Sequence, residues 1–146
     1  MPRTAPQTSL LLYAPVPLYL FEGSLFIERQ AVNGLQLWAR HFDLITVMMP
    51  VSAVAPPAGC VPVHCYQQEL SRVSIEPFPM AYRPAQFLRA LPQALKRIRR
   101  LIAQADYLSF AIGGLFGDWG AVSCLAAHQL QRPYGVWTDR VESEVM

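Results

Sequence analysis

"DYLSFAIGGLFGDWG", residues 106–120, leaves an apolar, strand-like run, passes three glycines and reaches an aspartate before a helical pattern opens. A glycine corner between a strand and a helix can cradle a phosphate, make room for a ligand or simply turn the chain. The choice depends on what surrounds it. "SLLLYA" (9–14) is a continuous apolar run that ends at a proline, as suits a strand buried on both faces of a parallel sheet. Residues 15–23 then read as a long loop. Ser24 caps an expected helix reaching about residue 41, with Ile27, Ala31, Leu35, Trp38 and Phe42 as its apolar stripe. "DLITVMMPV" (43–51) is a second strand that stops at Pro50. Strand, helix and strand of these lengths suit a right-handed βαβ unit.

The proline-rich segment 52–82 offers two short strand candidates, 61–66 and 73–76, of which one should extend the sheet. From Pro84, Phe87, Leu88, Leu91, Leu95, Ile98, Leu101 and Ile102 keep a helical period. Pro92 should kink or restart that helix, because it cannot donate its backbone hydrogen bond. Residues 106–112 form the next strand and 118–131 a helix with Val122, Leu125, Ala126 and Leu130 inward. "RPYGVWTD" (132–139) supplies a last strand. This alternation predicts an α/β class, a Rossmann-like three-layer sandwich with a mostly parallel sheet, as one domain over residues 1–146. With strand order 3-2-1-4-5, the loop ending at Gly23 and the loop at Gly113 and Gly114 face each other across the crevice where the order reverses, beyond the carboxyl ends of the strands.

Composition narrows the function. The chain is 53% hydrophobic and 15% charged, with a net charge of +2, and these values do not describe a nucleic-acid-binding surface. "SLLLYAPVPLYLF" (9–21) is too short and too proline-broken for a membrane span. Cys60, Cys65 and Cys124 match neither a zinc knuckle nor a redox pair, and read as free thiols of a reducing cytoplasm. His41, His64 and His128 share no metal-site spacing, so no metal ligand is expected. A dinucleotide fingerprint is absent, since the first loop offers only Gly23 and the second strand ends in "MMP"; no P-loop occurs either.

"FEGSLFIERQAVNGLQLWARHFDLITVMMP" (21–50) and "ADYLSFAIGGLFGDWGAVSCLAAHQLQRPYGVWTD" (105–139) together resemble the amino-terminal half of two-domain GT-B glycosyltransferases, most closely the large retaining group 1, or family 4-like, enzymes. The resemblance implies one half of a GT-B fold, moving a hexose from a nucleotide-sugar to a saccharide or lipid-linked acceptor in polysaccharide or glycolipid synthesis. It implies further that this half is acceptor-side, that the donor-binding carboxy-terminal domain is absent, that the nucleotide-sugar is a substrate rather than a cofactor, and that this piece alone is inactive. Glu142 and Glu144 lie too close together to stand for the donor-sugar glutamates of that family, so no catalytic residue is assigned. The alternative is a non-catalytic, flavodoxin-like doubly wound module that binds a small phosphorylated ligand.

Eight residues are candidates for substrate contact. Gly23 and Ser24 sit where that family's first glycine loop approaches the donor phosphates, or else form an ordinary turn with Ser24 as helix cap. Gly113 and Gly114 carry the same two readings. Asp118 is typed as a helix N-cap and, second, as an acceptor-hydroxyl partner. Trp119 falls outside the expected inward stripe and could stack on a sugar, or seal an edge or interface. Asp139, beside Thr138, ends the last strand at the crevice, or caps a following helix. "LKRIRRLI" (95–102) places Lys96, Arg97, Arg99 and Arg100 around an outward helix face, either simply solvated or in peripheral contact with the inner membrane face.

Overall fold

The computed structural model describes residues 8–81, 83–112 and 118–138. Among them run β1 Ser9–Tyr13, β2 Leu18–Phe21, β3 Ser24–Glu28, α1 Arg29–Ala39, β4 Leu44–Ser52, β5 Cys60–Pro62, β6 Val73–Pro79, α2 Pro84–Gln104, β7 Tyr107–Ile112, α3 Trp119–Gln129 and β8 Gly135–Thr138. A 3-10 turn, Val63–Tyr66, follows β5. The main sheet is parallel in the order β6-β4-β1-β7-β8, which is the expected 3-2-1-4-5 arrangement. Its class is therefore the α/β, Rossmann-like one read from the sequence.

β1 shows why a continuous apolar run makes a central strand. Leu10 and Leu12 face the α1 side, Leu11 and Tyr13 face α2 and α3, and all four are buried. Its amino end is held by carboxylates: the Thr8 amide donates to Asp43 Oδ2 at 2.8 Å and the Ser9 amide to Asp106 Oδ2 at 2.9 Å. α2 and α3 form one outer layer. The other layer is α1 together with a small antiparallel meander, β2-β3-β5, whose apolar face (Leu18, Leu25, Ile27, Val61) joins Leu70, Val73 and Ile75 in the second core. That meander and the 3-10 turn occupy the place of a crossover helix between β4 and β6.

Four local readings are corrected. Residues 15–23 are not one loop and Ser24 does not cap a helix. Leu18–Phe21 and Ser24–Glu28 pair as a two-residue hairpin, closed by Glu22 at φ 51° and Gly23 at φ 76°. Positive φ at both central residues is the turn that matches strand twist, and Gly23 meets it at no steric cost. α1 begins only at Arg29.

β4 does not stop at Pro50. It pairs β1 through Met48 and β2 from Val51, so Pro50 falls in the gap between those two partners, where a missing donor is harmless. β6 likewise continues through Pro77 and Pro79, which the edge of the sheet tolerates.

α2 is a single helix of 21 residues that includes Pro92. Pro92 is exposed, so the carbonyl of Leu88, deprived of its partner, opens to water instead of the core.

In α3 the inward face is Trp119, Gly120, Ser123, Ala126 and Ala127, whereas Leu125 is 64% exposed. The cause is Gly120: a Cβ there would stand 1.7 Å from the Ala111 carbonyl oxygen, so the helix lies directly against β7 with this residue at the contact.

The turn after α3 secures two helices at once. The Arg132 amide donates to Ala127 O (2.9 Å) and the Gln131 amide to His128 O (3.1 Å), with Gln131 at φ 57°. This is a Schellman closure with glutamine in the glycine position. The Arg132 guanidinium donates to the carbonyls of Ile102 (2.8 Å) and Ala105 (2.6 Å), capping the carboxyl end of α2.

Candidate functional site

In a doubly wound sheet the crevice lies beyond the carboxyl ends of the strands flanking the order reversal, here β1 and β7. The chain leaves β1 through Ala14–Pro17, and two cavities touch that loop, one at Pro17 and the other at Ala14 and Val16. One, of about 350 Å³, is lined by Pro17 and Tyr19, by Glu28, Arg29, Gln30 and Asn33 at the start of α1, and by 57–60 before and at β5. Its volume falls at the lower end of the usual ligand range. The Arg29 amide donates to the Gly59 carbonyl at 3.1 Å, joining α1 to that wall, and no side chain caps the helix start. Burial first, and the Glu28 carboxylate second, raise the Cys60 thiol above its ordinary range. A carboxylate, a guanidinium, two amides and a phenol around one cavity supply donors and acceptors of the kind that bind a polyhydroxylated ligand.

The second cavity, about 140 Å³ and apolar, is lined by Ala14, Val16, Trp38 and Trp137 among others. The Trp137 indole N–H is buried and meets no acceptor. A buried donor left without a partner costs about 1–3 kcal/mol, so an acceptor brought by a ligand or by water would relieve it.

The expected site residues that are described do not converge. Gly23 and Ser24, at the hairpin tip, line a separate cavity of about 530 Å³ with His64, Tyr66, Gln67 and Ser71, which shares no lining residue with the one at Tyr19 and Glu28. The helix-start argument for an anion at those two residues does not survive, because no helix starts there. Asp118 is the N-cap of α3, accepting from the Ala121 amide at 3.1 Å. Trp119 is not a sugar platform: it is wholly buried, donates to the Pro79 carbonyl at 2.9 Å and stacks on Phe87 at 5.0 Å. Thr138 ends β8 beside Ile112. Gly113, Gly114 and Asp139 lie outside the described residues.

The residues missed were Glu28, Arg29, Gln30 and Asn33. Their signal is the polar run "ERQAVN", which interrupts apolar neighbours at the strand-to-helix junction. Among the described residues no group of three His, Cys, Asp or Glu side chains could hold a metal ion. No helix among them is long and apolar enough to cross a membrane.

No protein-family model matches the chain, and no curated protein matches it. Among solved structures, it is similar to the C-terminal domain (residues 78–226) of the PF1911 hydrogenase from Pyrococcus furiosus, with 14% identity, 92% of this chain and 95% of that one covered, and a TM-score of 0.50. A second structure of that domain (residues 83–215) gives 14% identity, 94% and 98% coverage, and a TM-score of 0.49. At that identity the likeness speaks to the α/β fold alone.

Proposed function

We propose that this domain is the acceptor-side, amino-terminal half of a GT-B glycosyltransferase that moves a hexose from a nucleotide-sugar to a saccharide or lipid-linked acceptor. The observation that carries the reading is the polar cavity between β2, the start of α1 and β5, with Tyr19, Glu28, Arg29, Gln30 and Asn33 around it. In this account Glu28 and the two amides hold sugar hydroxyls, and Arg29 faces an anionic group of acceptor or donor. Trp137, which lines the apolar cavity with Ala14 and Val16, adds a buried donor without an acceptor near the loop that leaves β1.

The test is transfer of labelled hexose by a polypeptide joining this domain to a donor-binding half. Glu28→Gln and Asn33→Ala should each raise the acceptor KM about tenfold, the loss of one charged or buried hydrogen bond, and leave the donor KM in place. Unchanged acceptor kinetics in both variants would remove the cavity from the reading. The doubly wound binding-module alternative gains support from Arg29, and would show as tight binding of a small phosphorylated compound without turnover.

A further inference from the structure

The outer surface of α2 and α3 differs chemically from the rest of the molecule. α2 carries Arg89, Lys96, Arg97, Arg99 and Arg100 and no acidic residue along its 21 positions. α3 carries no Asp, Glu, Lys or Arg at all. Arg97 does not belong to the outward surface, because it donates to Glu76 Oε2 and to the Pro77 carbonyl, each at 3.0 Å, and lies 4.1 Å over the Phe78 ring. The other four are exposed. Between the helices runs an apolar groove of about 370 Å³, floored by residues such as Phe87, Leu91 and Val122 with Arg99 at its rim. Leu88 and Leu125 stand in solvent at 66% and 64% exposure.

We propose that this face docks on an anionic lipid bilayer, with Leu88 and Leu125 entering the interface and Arg89, Lys96, Arg99 and Arg100 meeting lipid phosphates. An amphipathic surface with leucines beside a basic rim lies in the interface plane with its apolar part among the upper acyl chains. Charge complementarity selects this occupant. A two-fold dimer through the same face would set one basic rim against another; Asp118, which also lines the groove, is buried and accepts from the Ala121 amide as the cap of α3, so it is poorly placed to pair them. A nucleic acid would satisfy the cations and leave the leucines without a counterpart. The face lies away from the α1 cavity, so the inference holds whether or not the domain takes part in sugar transfer.

The experiment is sedimentation of the chain with vesicles of phosphatidylglycerol and phosphatidylcholine in equal parts, and with phosphatidylcholine alone. Binding is expected to the first only, and to vanish at about 1 M salt, where the Debye length is about 3 Å. R89Q/K96Q/R100Q should weaken partitioning about a hundredfold, from about fivefold per basic residue. L88S/L125S should weaken it about tenfold or more. All these side chains are exposed, so the circular dichroism and melting point of both variants should stay at wild-type values. The proposal is overturned by absence of binding to the anionic vesicles, by equal binding to both vesicle types, or by L88S/L125S that folds and binds as the wild type does. A dimer in sedimentation equilibrium that Leu125→Ser dissolves would give the face to a second copy.

Discussion

Gly120→Ala tests how the sheet and α3 are joined. The added Cβ would lie 1.7 Å from Ala111 O, 2.9 Å from Ala111 C and 3.0 Å from Tyr13 Cδ2. Non-bonded contacts sit at about 3.5–4.0 Å, so α3 would have to retreat by well over 1 Å from a backbone atom that cannot rotate away. The retreat would loosen Trp119, Ser123, Ala126 and Ala127, all of them buried. Overpacking of this kind costs about 3 kcal/mol, and the better helix propensity of alanine returns at most about 1 kcal/mol. A net loss of about 2 kcal/mol lowers the melting temperature by roughly 4–8 °C for a chain of this size. Gly34→Ala is the control: nothing lies within 4 Å of its Cβ, and it sits inside α1. That variant should gain about 0.5–1 kcal/mol. The assay is thermal and urea unfolding followed by far-ultraviolet circular dichroism. A Gly120→Ala protein that melts at or above the wild-type temperature would refute the contact.

Arg132→Ala should cost about 1.5–3 kcal/mol in urea unfolding, because it strips charged donors from the carbonyls of Ile102 and Ala105. Arg132→Lys should restore only part of this, since one ammonium cannot reproduce the fork. Gln131→Gly should stabilise the fold by about 0.5–1 kcal/mol, relieving a left-handed glutamine at φ 57°; an unchanged midpoint would contradict the assigned closure. In iodoacetamide labelling at mildly alkaline pH, exposed Cys65 should react ahead of Cys60 and Cys124, whose thiols are both raised, chiefly by burial. Because a raised thiol favours the protonated native state, its contribution to stability is complete below the unfolded thiol range and fades as pH climbs through the folded value. Glu28→Gln should quicken Cys60 labelling at fixed pH, and an unchanged rate would separate the two residues.

The parallel frame could be read from the sequence because β1, β4 and β7 are apolar almost throughout, with Thr46 and Ser109 the polar residues inside β4 and β7, as strands covered on both faces require. Strand order 3-2-1-4-5 is the common one for such an alternation, and the pairing of β6, β4, β1, β7 and β8 agrees with it. The hairpin was not legible for a physical reason. "EG" lacks the asparagine or aspartate that usually marks such a turn, and Ile27 of β3 happens to fall in phase with Ala31, Leu35 and Trp38 of α1. Strand and helix therefore merged into one apparent stripe. The prolines misled in the same direction, since Pro50, Pro77 and Pro92 are harmless only through positions that pairing and exposure define. Asp118 was legible as a cap because a cap is local. Trp119 was not, since its burial depends on Gly120 bringing α3 against β7 and on Pro79 and Phe87 from distant parts of the chain. The polar cavity escaped for the same reason: Glu28 and Cys60 meet only after β3 and β5 have paired.

The central claim is that the cavity between β2, the start of α1 and β5 receives a sugar acceptor. Nuclear magnetic resonance titration of the isotopically labelled chain with a panel of oligosaccharides and sugar phosphates reads this directly. The account predicts saturable shifts confined to the amides of residues 28–33 and 58–60 and to the Trp137 indole N–H, with the Glu28→Gln chain responding more weakly. Shifts at residues 63–71 around the other cavity, with residues 28–33 silent, would contradict it.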